Sequence, residues 1–158
     1  IMSDALKSSG TLANENGSVL EKFIEHNLLN KGYTYVNRKD FSAATYLKQP
    51  IYSYQFFVGQ SIYDTPVYCD YIIYHPDKWP ECLVIEAKWQ QVGGSVDEKY
   101  PFTILNIKTR SPYTTILLLD GGGYKKGAEK WLRGQVDKKL LHVFSMAEFQ
   151  TFVNKDFI

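Results

Sequence analysis

A chain of 158 residues is the size of one domain, long enough to bury one good core and too short for two. Apolar residues at 44% and charged residues at 22% are ordinary globular composition. The formal net charge of +1 excludes a broad basic coat for nucleic acid, so any such contact must rest on local clusters or on a partner.

Residues 1–16 are small and polar and read as a loose N-terminal segment, which leaves 17–158 as a single domain. Nothing near the N-terminus looks like a signal peptide, and no apolar run approaches the length of a membrane span. Cys69 and Cys82 show no CxxC spacing and fit small core residues in strands. A reducing cytoplasm is therefore the expected compartment, with no membrane partner. Asn16-Gly17-Ser18 opens a helical pattern, with Val19, Leu20, Phe23, Ile24 and Leu28 on one face and Gly32 as the stop. Residues 33–60 read as irregular aromatic strands, the second covering 51–58 between Pro50 and Gly59. A strong strand follows at 66–74, then a loop at 75–80 that holds two prolines, then a strand at 82–88. So short a connection predicts an antiparallel pair. Ser95 and Glu98 match a capping box, opening a helix that runs to about Lys108 and is distorted at Pro101. The apolar run 114–119 predicts a buried strand, ended by Asp120 and three glycines. Residues 128–135 predict a short helix with Trp131 and Leu132 inward, followed by a strand at 140–144 and a closing helix at 146–153. This order predicts a mixed α/β sandwich around one sheet.

Asp70 on one strand and Glu86-Ala87-Lys88 on the next carry the chemistry. Strand side chains alternate between faces, so Glu86 and Lys88 project together, and Gln90 continues the row if the strand extends. The antiparallel register places Asp70 near Glu86. Charges gathered at the end of an apolar sheet are costly unless a counter-ion or a task compensates them. Two carboxylates offer hard oxygen ligands suited to Mg²⁺, and the Ala87 carbonyl could add a third. Such a metal polarises a phosphate oxygen and lowers the pKa of a bound water, while a lysine beside it orients that water and offsets negative charge.

Together these residues resemble the PD-(D/E)xK nuclease superfamily, which includes many restriction endonucleases. The matching stretch runs from Cys69-Asp70-Tyr71-Ile72-Ile73 across a loop to Leu83-Val84-Ile85-Glu86-Ala87-Lys88-Trp89-Gln90. The following Gly93-Gly94-Ser95 and the lysine-bearing segment at 96–101 look like the continuation in one restriction-type branch. The proline that gives the family its name is missing, because Cys69 precedes Asp70. The resemblance covers roughly residues 17–119. It implies a single-domain, restriction-endonuclease-like α-β-β-β-α-β core, with a mixed central sheet flanked by helices. Asp70 and Glu86 are then expected to hold Mg²⁺, which Mn²⁺ could replace, with Lys88 as the catalytic lysine. Glu21 matches a helix glutamate that completes the metal site in many members. Products are expected to carry a 5′-phosphate and a 3′-hydroxyl.

Competing readings stand beside these. Glu86 with Lys88 could be a solvent-facing strand pair and Glu21 a solvated helix residue, while Gln90, expected to support the catalytic site and contact phosphate, could be a polar strand cap. Ser95 and Lys99, near a helix N-terminus, could bind a phosphate, or Lys99 could be a surface lysine. Lys125 and Lys126, with Lys130 and Arg133, could contact a nucleic-acid backbone or form a solvated helix face. The expected activity is a restriction-type endodeoxyribonuclease, with DNA as partner. Its shortness points to a homodimer or to a separate recognition subunit. The alternatives are a structure-selective repair or recombination nuclease, and a non-catalytic nucleic-acid-binding subunit of the same fold.

Overall fold

The computed structural model describes residues 9–90, 96–123 and 126–158, with the side chains of all of these except 9–17 and Val96. Helix α1 spans Ser9–Asn30 and so begins earlier than the apolar pattern alone indicates. It ends at Gly32, whose φ of 86° suits the left-handed turn that closes a helix. Strand β1 (Thr34–Tyr35) is followed by a short helix α2 (Phe41–Ala44) and a 3₁₀ turn (Thr45–Leu47). The sequence pattern missed this pair because only Phe41 of the two is buried. Then come β2 (Ile51–Gln60), β3 (Pro66–His75), β4 (Trp79–Trp89), α3 (Val96–Thr109), β5 (Thr115–Asp120), α4 (Lys126–Arg133), β6 (Leu140–Phe144) and α5 (Met146–Asn154).

The six strands form one sheet in chain order. Strands β2, β3 and β4 pair antiparallel, whereas β1–β2, β4–β5 and β5–β6 pair parallel. The parallel pairs need crossovers, and α3 and α4 provide them for β5 and β6. The run α1-β2-β3-β4-α3-β5 is the expected α-β-β-β-α-β core. Two expectations are corrected. The proline-bearing loop shrinks to a turn, since β4 starts at Trp79 and takes in Pro80. In α4 only Leu132 is buried, and Trp131 faces outward at 41% exposure.

Helices cover both faces of the sheet. On one face Leu20, Ile24 and Leu28 of α1 and Phe149 and Val153 of α5 pack on Ile73, Leu83, Ile85, Ile116 and Leu118. On the other, Tyr100, Ile104 and Ile107 of α3 and Leu132 of α4 pack on Leu117, Leu119, Leu140 and Val143. Strand β5 lies between both layers, so every residue from Thr115 to Leu119 is buried. A capping box seats α5: the Ser145 side chain accepts from the Glu148 N–H, and Glu148 accepts from the Ser145 N–H.

Candidate active site at a strand fork

The β3–β4 ladder runs from His75↔Trp79 to Tyr71↔Ile85 and stops there. Beyond it β3 stays with β2 as far as Pro66, and β4 stays with β5 as far as Trp89. The two strands therefore part at Asp70 and Glu86. At this fork side chains replace the missing ladder bonds. The Ala87 N–H donates to Asp70 Oδ2 at 2.8 Å. The Asp70 N–H donates to Glu86 Oε1 at 3.3 Å.

The fork is also kinked. Cys69 and Ile72 pack in the same apolar cluster although they are three residues apart, while Tyr71 and Ile73 face α1. Strict alternation would put Cys69 with Tyr71. The slip falls at Asp70, and opposite it in β2 stands Gln55 with a φ of 51°. Arg38 donates to the Gln55 carbonyl at 3.1 Å and holds this bend. The kink turns Asp70 toward α1, where it lines an open cleft of about 430 Å³ with Glu21, Glu25, Lys22 and Tyr54. The Tyr71 hydroxyl donates to the Glu21 carbonyl at 3.2 Å and ties α1 to this edge. Glu86 and Lys88, on the Val84 side of β4, line a second cavity of about 160 Å³ on the α3 face. The acidic pair thus bridges two openings, one on each side of the sheet.

Ionising both carboxylates at the fork is costly. Burial, and after it the Asp70 carboxylate, push Glu86 well above the usual carboxylate range, against the pull of Lys88. Burial and then Asp70 also raise Glu21. Among the described residues no group of three or more His, Cys, Asp and Glu side chains forms a metal cluster. The donor set nonetheless fits Mg²⁺, which is commonly held by one or two carboxylates together with waters and substrate phosphate. The backbone adds a donor. Val84 and Gln90 turn their N–H groups to β5, donating to Thr114 and Asp120. Ala87 has the opposite parity, so its N–H and C=O both point toward β3. Its carbonyl therefore looks into the fork beside Asp70.

The other candidate residues fall elsewhere. Gln90 is buried; the Tyr100 hydroxyl donates to its Oε1 at 2.6 Å, and the Gly123 N–H donates to its carbonyl. It joins β4 to α3 and to the turn after β5, and it lines neither cavity. Lys99 is exposed on the first turn of α3, three and four residues before Phe102 and Thr103 of the second cavity. Lys126 is exposed at the start of α4 and lines neither cavity. Ser95 and Lys125 lie outside the described residues. Arg133 donates to Glu129 and Glu148, so it is engaged within the fold. Sequence reasoning missed Glu25, one turn beyond Glu21, and Phe102 and Asn106 on one face of α3 with Arg110 just past its end. In both cases the signal was helical spacing toward the strand ends.

The PD-(D/E)XK nuclease superfamily domain model matches residues 12–157, nearly the whole chain. No curated protein and no solved structure gives a match. Members of that superfamily are nucleases, and they generally use divalent metals. The matched span takes in most of α1, the forked hairpin, α3 and every strand of the sheet, so this chain belongs to the PD-(D/E)XK nuclease superfamily.

Proposed function

We propose that the protein is a Mg²⁺-dependent endodeoxyribonuclease, with Mn²⁺ able to replace Mg²⁺. The Asp70–Glu86 pair carries this reading: two carboxylates meet at the fork, one kept costly to ionise by burial and by its neighbour. Asp70, Glu86 and the Ala87 carbonyl would hold the ion, and Glu21 would complete the set from α1. When bound, the ion supplies Lewis acidity at the scissile phosphate and a more acidic water. Lys88 extends from the same face of β4 as Glu86 and holds its positive charge where the attacking water and the developing phosphate charge meet. Gln90 acts through position, keeping the end of β4 against α3 and the glycine turn.

The restriction-type form of this activity needs bases to be read. The described residues form little beyond the core that could enter a groove, so a second copy or another subunit would do the reading. A structure-selective nuclease is the second reading, and the cavity beside Lys88 favours it. Plasmid cleavage tests the site. Wild type should nick or linearise DNA with Mg²⁺ and not with EDTA. Asp70→Ala and Lys88→Ala should each lose roughly 10²–10³-fold in rate. Both variants cutting like wild type would overturn the assignment.

A further inference from the structure

The cavity that Glu86 and Lys88 line extends away from the fork, between the splayed end of β3 and helix α3. Val58, Val67, Val84 and Ile107 make an apolar floor, and Phe102 makes a wall. Its volume of about 160 Å³ compares with a dry cavity of roughly 150 Å³ that takes a benzene-sized ring. Its lining is also aromatic and basic, through Tyr68, Phe102, Lys88 and Arg110, with further aromatic and basic groups behind them. Tyr63 is 73% exposed and stacks on Phe102 at 5.2 Å and 22°. Tyr68 of β3 also lines the cavity, half exposed, with the Arg38 guanidinium over its ring at 5.9 Å. Arg110 stands exposed at the far rim.

A slot for one ring, walled by aromatics, rimmed by arginine and joined to a phosphodiester site, has the chemistry of a base pocket. The occupant must be flat with an apolar face and must be attached to the phosphate beside Lys88. A paired base does not qualify, because its faces are stacked on its neighbours and only its edges show in the grooves. An unpaired base offers its face to an aromatic ring at little cost. We infer that this cavity binds one unpaired nucleobase flanking the scissile phosphate, so that the protein prefers single-stranded or frayed DNA to intact duplex.

The inference rests on the nuclease reading, and two separate measurements keep their failures apart. Fluorescence anisotropy in EDTA compares an oligodeoxythymidine, the same backbone made abasic, and a blunt duplex of equal length. Wild type should bind the oligodeoxythymidine roughly 10-fold more tightly than either of the others. Phe102→Ala and the cavity-filling Val67→Trp should abolish that margin. The abasic comparison uses wild type alone, so it holds even if a variant folds poorly. Equal affinity for all three DNAs overturns the base pocket. Cleavage with Mg²⁺ is then scored on the same DNAs. Cutting without any preference for unpaired DNA overturns the pocket and leaves the nuclease standing. A binding preference without cutting on any DNA overturns the nuclease and leaves the pocket.

Discussion

Glu86 shows how one position can be costly and useful together. A carboxylate beside a second carboxylate, withdrawn from water, favours its protonated form, and Lys88 offsets only part of this. If Glu86 holds the proposed ion, a proton and a divalent cation compete for the same oxygens, because metal ligands must be deprotonated. The sign follows from the direction of the shift. The raised folded-state pKa means that the metal-binding form is lost while pH is still above the ordinary carboxylate range. Activity at fixed, subsaturating Mg²⁺ should therefore fall as pH drops through that raised value, and added Mg²⁺ should move the fall to lower pH. A profile that ignores the Mg²⁺ concentration would show that Glu86 does not hold the ion. Asp70 contributes differently. Its Oδ2 already accepts the Ala87 N–H, so it orients the β4 backbone as well as lending charge.

Among elements, the turn after β5 matters because it sets the end of β4. Gly121 has a φ of 99°, and a Cβ there would lie 2.5 Å from the Gln90 carbonyl oxygen. Neither the conformation nor the space admits a side chain. The Gly123 N–H donates to the same carbonyl, and the Gln90 N–H donates to Asp120. Asp120 in turn accepts the Met146 N–H at the start of α5. Gly121→Ala should therefore cost about 1–3 kcal/mol in denaturant unfolding and lower the cleavage rate by shifting Lys88, two residues upstream of Gln90. An unchanged midpoint would show that the turn gives way without strain. Gly121 thus serves close backbone approach, and Gly122, with a φ of 72°, serves the turn's left-handed conformation.

At the scale of the whole molecule, the sheet is closed on both faces by helices, and its ends face different surroundings. Aromatic side chains crowd the β1–β3 side of the sheet, near where β3 parts from β4: Tyr35 stacks on Tyr54 at 5.0 Å, and Phe57 meets Tyr68 at 5.9 Å. The net charge is only +1, so long-range attraction for DNA is weak. Sequence-specific cutting, if present, should then require more than one chain, and light scattering on the active species should give the mass of a dimer or of a complex. Specific cutting by a strict monomer would contradict that assembly.

The sequence by itself determined the order of elements and the neighbourhood of Asp70 and Glu86. Helical and strand periodicities are local, a short connection forces antiparallel pairing, and alternation assigns Glu86 and Lys88 to one face. The glutamates of α1 and the cavity residues of α3 were legible only as helix faces. Which strand end they would meet depends on packing between elements distant in the chain. The tertiary structure alone decided that the hairpin forks at Asp70, because leaving the ladder is settled by the competing partners β2 and β5. It also decided that Gln55 takes a left-handed conformation opposite Asp70, since Arg38 and the facing strand hold it there. Gln90 is the clearest instance: its spacing puts it in line with Lys88, while Tyr100 and the glycine turn enclose it in the fold.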